Sequence, residues 1–275
     1  MQRLVLIVLI CLGAARMAAA AGDAPLQSLV TADDTKGWEA VGRLNIAGKG
    51  FCTGALIRED LVLTAAHCLY DKNTGARIDA TKVEFLAGWR NGRAAAYRNV
   101  RRAVLHPDYV FSGPSGEARV SNDLALLELT QPIRSTSIKP FATYQRPRKG
   151  DQVAVVSYAH DRAELPSIQK VCYVLARQSG TLVLSCEVDF GSSGAPIFSM
   201  VDGQPRIVSV VSAKAQVNTQ RVSLGTSLDG PLELLMNELQ SNDGVFSRTV
   251  PKVRTMSLAG AREETGAKFI RPASQ

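Results

Sequence analysis

Two adjacent serines stand between glycines in the segment DFGSSGAPIF, residues 189–198. Taken alone, such a segment is typical of a tight turn. A serine hydroxyl is a poor nucleophile at neutral pH, so it needs a base within hydrogen-bond reach and an acid that orients the base. Histidine is the usual base, and the sequence contains three, His67, His106 and His160, all before the serines. The chemistry to consider is nucleophilic catalysis in which the base precedes the nucleophile along the chain.

The order of these residues excludes one class of hydrolase and disfavours another. α/β-Hydrolases place the histidine after the nucleophilic serine, whereas no histidine follows Ser193 in this sequence. The subtilisin order, Asp then His then Ser, needs Asp33 or Asp34 with His67, but the sequence lacks the motifs for it and is rich in β-like segments. The remaining order is His, then Asp, then Ser.

Three short motifs fit the remaining order. The segment LVLTAAHCL, residues 61–69, places His67 after an apolar run and before a cysteine. The segment SNDLALLEL, residues 121–129, places Asp123 at the start of a strongly apolar run, and GSSGAP, residues 191–196, contains the serines. Each side chain of a catalytic triad therefore has a candidate in its own motif.

Together the three motifs resemble those of the chymotrypsin/trypsin-like serine proteases, which are TAAHC, Asp-[Ile/Leu]-Ala-Leu-Leu and GDSGGP. The segments FCTGALI and HPDY resemble two further stretches of that family. The resemblance extends from about Trp38 to Leu239, and the chain is most similar to the compact bacterial branch. His106 and His160 lie outside the triad motifs and are interpreted as surface or packing residues.

The resemblance implies a role for each matching residue. Aligning GDSGGP on GSSGAP makes Ser193 the nucleophile, which His67 would deprotonate while Asp123 holds the histidine tautomer. The backbone N–H groups of Gly191 and Ser193 would form an oxyanion hole. Ser212 would lie on the strand whose backbone pairs with the substrate.

The resemblance also suggests a specificity pocket. In trypsin-like enzymes the pocket floor lies six residues before the serine, which is Glu187 here, with Asp189 nearer to the serine. A carboxylate at the floor favours Arg or Lys in the substrate. Lys214 lies close to the expected pocket rim, where it could neutralise Glu187.

Two features depart from the family pattern. Most members carry an acid just before the nucleophile, where this chain has Ser192, and no Ile-Val-Gly-Gly start precedes WEAVGRLN. In trypsin-like zymogens that acid pairs with the new N-terminal ammonium. We therefore predict that the oxyanion loop forms without an ammonium–carboxylate pair. Residues 22–36 are interpreted as a linker or a pro-segment.

The elements that must position these residues are mostly strands. Short apolar or alternating runs are separated by Gly, Pro, Asn and Asp, which is typical of β-sandwiches and β-barrels. Helical periodicity is convincing only in residues 231–240. The resemblance implies an all-β fold of two six-stranded antiparallel β-barrels with a short C-terminal helix. The predicted organisation is a signal peptide (1–21), a linker or pro-segment (22–36), a first barrel (37–140), a second barrel with the helix (141–243) and a basic, flexible tail (244–275).

Four cysteines remain after the predicted signal peptide, Cys52, Cys68, Cys172 and Cys186. Structural zinc sites need more closely spaced pairs, and an even number in an exported chain is typical of disulfides. Four cysteines allow three pairings, of which the resemblance implies Cys52–Cys68 and Cys172–Cys186. No metal or cofactor is expected.

The N-terminus and the charge distribution indicate the location and exclude some partners. A basic start, an apolar run over 4–12 and small residues over 18–21 are typical of a secretory signal peptide, and the run is too short for a membrane anchor. The formal net charge is +7, but its excess lies mainly in the signal and the tail. We expect a monomer, secreted or periplasmic, that acts on protein or peptide substrates, without nucleic-acid binding or stable membrane insertion.

The function that follows is that of an exported serine endopeptidase working through an acyl-enzyme. Ser192 and Ala195 leave open an alternative, a weak or inactive protease homologue that acts as a binding protein. An esterase using the same site is a third possibility. For the tail, a role in surface binding is the alternative to disorder.

Overall fold

The computed structural model describes residues 22–112, 116–144, 147–217 and 219–241, so the predicted signal peptide and tail lie outside the described residues. In chain order the strands are β1 (Gln27–Ser28), β2 (Val41–Ile46), β3 (Gly50–Arg58), β4 (Leu61–Thr64), β5 (Val83–Ala87), β6 (Ala96–Leu105), β7 (Ala125–Leu129), β8 (Gln152–Ala159), β9 (Arg162–Gln178), β10 (Thr181–Leu184), β11 (Pro196–Val201), β12 (Gln204–Val217) and β13 (Gln220–Ser227), and the α-helices are α1 (Glu117–Ser121) and α2 (Pro231–Ser241).

Strands β2 to β7 form a closed barrel in the order β2-β3-β4-β7-β6-β5. Its central strands β4 and β7 are short, nearly continuous apolar runs, which is typical of strands buried on both faces. They pair antiparallel, with Leu63 opposite Leu126 and Thr64 opposite Ala125. Because of this register, the chain leaves β4 and enters β7 at the same end of the barrel.

Strands β8 to β13 form the second ring. The order is β9-β10-β13-β12-β11-β8, and β8 pairs back to β9 and closes the ring. Strand β9, 17 residues long, pairs with β8 near one end and with β10 near the other. Pro196 lies opposite Val210, so residues just before β11 lie beside residues just after Val210. The prediction of two six-stranded barrels is confirmed.

Residues 22–36 contact the second ring through the short strand β1. Within them, β1 pairs with Ser167 and Ile168 of β9, and the side chain of Leu29 is buried in the main core. The amide of Gln169, which is fully buried, donates to the carbonyl of Ala24 at 2.9 Å. The segment is therefore an edge of the second ring.

Two disulfides cross-link the strands. Cys52 of β3 is bonded to Cys68, in the turn that follows β4, and Cys172 of β9 is bonded to Cys186, just after β10. These are the pairings that the resemblance implies. Closing loops of this size stabilises the fold by about 3 kcal/mol each in the chain-entropy model.

Helix α2 ends the described chain, close to the helix predicted over 231–240. Leu235 and Leu239 are buried, and the helix contacts β6 and β7 of the first barrel. Helix α2, which follows the second ring along the chain, therefore packs on the first barrel. No helix among the described residues combines the length and apolar character needed to cross a membrane.

Candidate active site

His67 and Asp123 are brought together by the strand register of the first barrel. His67 lies on a 3-10 helix, Ala66–Leu69, directly after β4, and Asp123 lies just before β7. Because β4 and β7 are paired and antiparallel, the two residues lie at the same end of the barrel. The Asp123 side chain is only 3% exposed, and that of His67 is 14% exposed.

The Asp123 carboxylate holds the histidine through two atoms. Asp123 Oδ1 accepts the backbone N–H of His67 at 2.8 Å, and Oδ2 lies 2.6 Å from His67 Nδ1. A ring nitrogen beside a carboxylate carries the proton, so Nδ1 is the donor and Nε2 is the acceptor. Nε2 is therefore the ring atom of His67 that is able to accept a proton.

The second ring contributes a third hydrogen bond to this carboxylate. The hydroxyl of Ser212 donates to Asp123 Oδ2. Ser212 lies at a register shift between Val211 and Ala213 of β12, and such bulges redirect a side chain out of the regular sheet pattern. Sequence analysis assigned Ser212 to substrate pairing, so its bond to Asp123 was missed.

We call residues 187–195 the nucleophile loop. Two turn hydrogen bonds shape it, from Ser192 N–H to Asp189 O and from Ala195 N–H to Ser192 O, both 2.9 Å long. Gly194 N–H donates to Val211 O at 2.8 Å and fixes the loop to β12. Gly194 has a φ of 77°, and a Cβ there would lie 2.1 Å from the Thr64 hydroxyl oxygen and 2.3 Å from a backbone oxygen. A glycine is required at this position.

Ser193 faces the histidine across a cavity of about 260 Å³, which both residues line. Its carbonyl accepts the N–H of Thr53 in the first barrel at 2.8 Å, which links the loop to the other half of the molecule. Among the contacts of the described residues, none is a hydrogen bond between the Ser193 hydroxyl and the imidazole. Within the same residues, the N–H groups of Gly191 and Ser193 donate to no protein acceptor. They are available to an oxyanion.

The charges around this cavity differ from the expectation for Glu187. Lys214 Nζ donates to Asp189 Oδ1 at 2.7 Å and lies 4.0 Å from the centre of the Phe190 ring. The hydrogen bond from Lys214, followed by the N–H of Phe190, lowers the pKa of Asp189. Glu187 is exposed and is not among the residues that line the cavity; its N–H donates to Gln169. Asp189, rather than Glu187, is therefore the partner of Lys214.

A second lysine, Lys72, also lies near the Phe190 ring. Lys72 Nζ lies 5.6 Å from the centre of that ring, and Lys72 lines the same cavity as Ser193. Phe190 itself is largely exposed. With Asp189 paired to Lys214, Lys72 makes the cavity mouth net positive.

The cavity continues on both sides into a groove. A cavity of about 410 Å³ adjoins the Cys52–Cys68 disulfide, and one of about 590 Å³ extends past Tyr109 and Arg119. His67 lines all three cavities. A groove that continues on both sides of the base suits an extended chain better than a compact small molecule.

The other two histidines stand apart from this arrangement. His106 is buried, accepts the N–H of Asp108 at 3.3 Å and has its pKa lowered by burial. His160 is exposed, and its backbone N–H donates to Phe190 O. Their interpretation as packing and surface residues stays a prediction.

One cluster has the residue types of a metal site. Atoms of Cys52, His67 and Cys68 lie within 4.8 Å of one another. Both sulfurs are bonded to each other in the disulfide, so neither is a thiolate, which is the form that binds metal. The cluster does not fit a metal.

The sequence of the chain is similar to those of known proteins. The trypsin family model matches residues 31–224. Cathepsin G of Mus musculus is 37% identical over 115 residues, covering 40% of each chain, and mast cell protease 3 of Ovis aries is 31% identical over 134 residues, covering 47% of this chain and 49% of the relative. The chain thus spans less than half the length of these relatives.

A solved structure is also similar. It is a Glu endopeptidase in complex with MPD, with a TM-score of 0.65 and 16% sequence identity, covering 78% of this chain and 97% of the other. At that identity the likeness concerns the fold alone.

Proposed function

The chain belongs to the trypsin family, and from this we propose that it is a serine endopeptidase that hydrolyses peptide bonds through an acyl-enzyme. The observation that carries the proposal is the Asp123 carboxylate, which is hydrogen-bonded to both His67 and Ser212, two residues that line the same cavity as Ser193. A carboxylate, an imidazole and a hydroxyl in this arrangement are the parts of a charge-stabilised general base and its nucleophile.

In the proposed first step, His67 Nε2 takes the proton of the Ser193 hydroxyl as Ser193 Oγ attacks the substrate carbonyl carbon. The carbonyl oxygen becomes an oxyanion, which accepts hydrogen bonds from the N–H groups of Gly191 and Ser193. The C–N bond then breaks, and the imidazolium returns its proton to the leaving amine. Asp123 stabilises the imidazolium throughout.

In the second step, water replaces the amine. His67 takes a proton from the water molecule while the water oxygen attacks the ester carbonyl carbon of the acyl-enzyme. The C–O bond to Ser193 breaks, Ser193 recovers the proton, and the acid product leaves. The groove on both sides of His67 supports a polypeptide rather than a small ester as the substrate.

A fluorophosphonate probe tests this proposal, since it labels an activated serine covalently. We expect labelling of the chain at Ser193 and its loss in Ser193→Ala. Ser199→Ala, which alters a partly exposed serine of β11, is the control and should label fully. Absence of labelling in the folded protein would overturn the proposal.

One observation favours the alternative of a weak or inactive homologue that binds peptides. In the part of the chain that the structure describes, the Ser193 hydroxyl makes no hydrogen bond to His67. The alternative predicts peptide binding without turnover and no covalent labelling. Peptide binding measured beside the labelling experiment separates the two functions.

Substrate preference is inferred from the charges at the cavity. A preference for Arg or Lys would require a free carboxylate, but Asp189 is paired with Lys214, and Lys72 adds a positive charge. We infer that acidic or neutral residues are accepted before the scissile bond in preference to Arg or Lys.

Cleavage of a peptide library tests the preference. Lys214→Ala frees the Asp189 carboxylate, so we expect cleavage after Arg and Lys to increase in this variant. Lys72→Ala should lower cleavage after acidic residues without that increase. Wild-type cleavage mainly after Arg or Lys would contradict the inference.

We further propose that residues 1–21 direct export and are removed. Trypsin-like proteases with disulfides are typically extracellular, and this chain has two disulfides. Sequencing the N-terminus of the protein recovered from the medium and the cell envelope tests this. Recovery in the cytosol with an intact Met1 would contradict it.

A further inference from the structure

Ser192 is a fully buried residue of the nucleophile loop, at the position where most family members carry an acid. Its hydroxyl lies 3.2 Å from both the hydroxyl oxygen of Ser157 and the carbonyl oxygen of Tyr158. It also accepts the N–H of Asp189 at 3.4 Å. A buried hydroxyl with three neighbours on two elements fixes the path of the chain on either side of it.

An arginine from β9 reaches the same hydroxyl cluster. Arg162 Nη2 donates to the Ser157 hydroxyl at 3.2 Å and to the Ser192 hydroxyl at 3.5 Å. The Arg162 side chain is only 12% exposed, and Nη1 pairs with the exposed carboxylate of Asp161 at 3.0 Å. Within the described residues, Arg162 Nε is buried and has no hydrogen-bond partner. The cation is thus stabilised by few acceptors, and the two serine hydroxyls are among them.

We propose that Arg162 is a positioning residue that holds the nucleophile loop in its active conformation through Ser157 and Ser192. The proposal rests on the proposed function, because it concerns the loop that carries Ser193. A buried guanidinium strongly requires acceptors. The Arg162 bond therefore orients the Ser192 hydroxyl toward Tyr158 O, which fixes the peptide units that present the Gly191 and Ser193 N–H groups.

In trypsin-like zymogens the ammonium of a newly formed N-terminus pairs with the acid before the nucleophile. Here the Arg162 guanidinium takes its place, and this side chain is present before and after any cleavage. Gln27 and Ser28 pair with β9, and among the described residues no hydrogen bond joins residues 22–36 to the Ser192 hydroxyl. Arg162 is 30 residues from Ser192 along the chain, and its charge does not depend on cleavage of the N-terminus. The loop is therefore ordered without a processing step.

The first experiment replaces the arginine. Arg162→Met should lower kcat and the rate of fluorophosphonate labelling about 10- to 100-fold, since displacing a nucleophile by about 1 Å can cost about 100-fold. KM should change little. Arg162→Lys should recover part of the rate, because the ammonium can still reach at least one hydroxyl.

Arg102→Met is the matched control. Arg102 is also a partly buried arginine, but it bonds to Glu128 of the first barrel and to Leu239 O of α2. Its loss should lower the melting temperature without slowing labelling of Ser193. If Arg162→Met and Arg102→Met lower stability equally and neither slows labelling, Arg162 has only a structural role and the proposal is overturned.

A second variant tests the coupling directly. Ser192→Asp places a carboxylate beside Arg162 and should retain labelling in the native background. In the Arg162→Met background the same change leaves a buried, unpaired carboxylate, so labelling should fall at least about tenfold further. Equal effects in both backgrounds would overturn the proposal even if Arg162→Met folds poorly. Failure of wild-type labelling would overturn the proposed function instead.

Discussion

The two halves of the active site are held by different kinds of interaction. In the first barrel, His67 is fixed by charge, through two hydrogen bonds to the buried carboxylate of Asp123. In the second ring, Ser193 is fixed by the backbone, through turns, a positive φ at Gly194 and the bond from Thr53 N–H. The proposed base therefore depends mainly on electrostatics, whereas the proposed nucleophile depends mainly on backbone geometry, with the contact from Arg162 proposed above as its support.

This difference predicts how each half fails. A substitution that keeps the shape but changes a charge should disable the first half. A substitution that adds one methyl group should disable the second. The variants below, with their controls, test the distinction, from the largest expected effect to the smallest.

Asp123→Asn should lower kcat about 10⁴-fold, because an amide presents a donor to Nδ1 and favours the wrong histidine tautomer. The shape is retained, so the melting temperature should change much less than activity. Steady-state kinetics and thermal unfolding check this. Asp108→Asn, at an exposed carboxylate near His106, is the control, and a comparable loss there would contradict a specific role for Asp123.

Gly194→Ala should lower kcat about 100-fold and destabilise the protein by more than about 2 kcal/mol. A positive φ alone costs about 1–2 kcal/mol, and the new methyl group overlaps Thr64 and a backbone oxygen. Chemical unfolding and kinetics measure both effects.

Gly203→Ala separates the two contributions to that cost. Gly203 has a φ of 74°, close to that of Gly194, but a Cβ there would have nothing within 4 Å. The Gly203→Ala variant should be destabilised only by the cost of the positive φ, and it should keep full activity. Equal destabilisation at both glycines would contradict the steric explanation.

Ser212→Ala should lower kcat about tenfold, since a hydrogen bond to a charged group contributes about 1.5–3 kcal/mol. Among the described residues, it removes the one hydrogen bond that the second ring donates to the Asp123 carboxylate, while the Thr226 hydroxyl still donates to the Asp123 carbonyl. Ser209→Ala is the control on the same strand, because its buried hydroxyl donates to Thr226 O instead. That variant should lose stability but not activity; a loss of activity there would indicate a general effect on β12.

Asp189→Asn should destabilise the protein by less than about 1 kcal/mol at neutral pH, because the pair with Lys214 is about half exposed and screened. Lys214 lowers the pKa of Asp189 below 3.8. The carboxylate's contribution is therefore present above about pH 4 and is lost as the pH falls through the lower folded pKa. Urea unfolding against pH should show wild type and variant converging in acid; a persistent difference would contradict this.

The sequence allowed the fold and the candidate triad to be predicted because the resemblance that implies both of them rests on short contiguous motifs. TAAHC, NDLALL and GSSGAP each contain both the functional residue and the strand or turn that presents it. Helix α2 was predicted from its own periodicity. Local pattern was sufficient in each case.

Contacts between distant segments could not be predicted in this way. The bonds of Arg162 to Ser192 and of Ser212 to Asp123 join residues on different elements, and a single sequence carries no sign of them. The partner of Lys214 was expected to be Glu187, but it is Asp189, two residues later. Counting residues back from the serine does not show which side chain of a short exposed loop points toward Lys214. Residues 22–36 lack a long apolar run, so their pairing with β9 depends on a partner far along the chain.

That pairing affects the order in which the molecule is completed. Gln27 lies opposite Ile168, so one of the first described strands has no partner until well over half of the chain has been synthesised. Contacts of such high sequence separation are expected to form late in folding. The N-terminal segment would then add to the second ring only after β9 exists, so a chain truncated before β9 leaves β1 as an unpaired strand, a known template for aggregation.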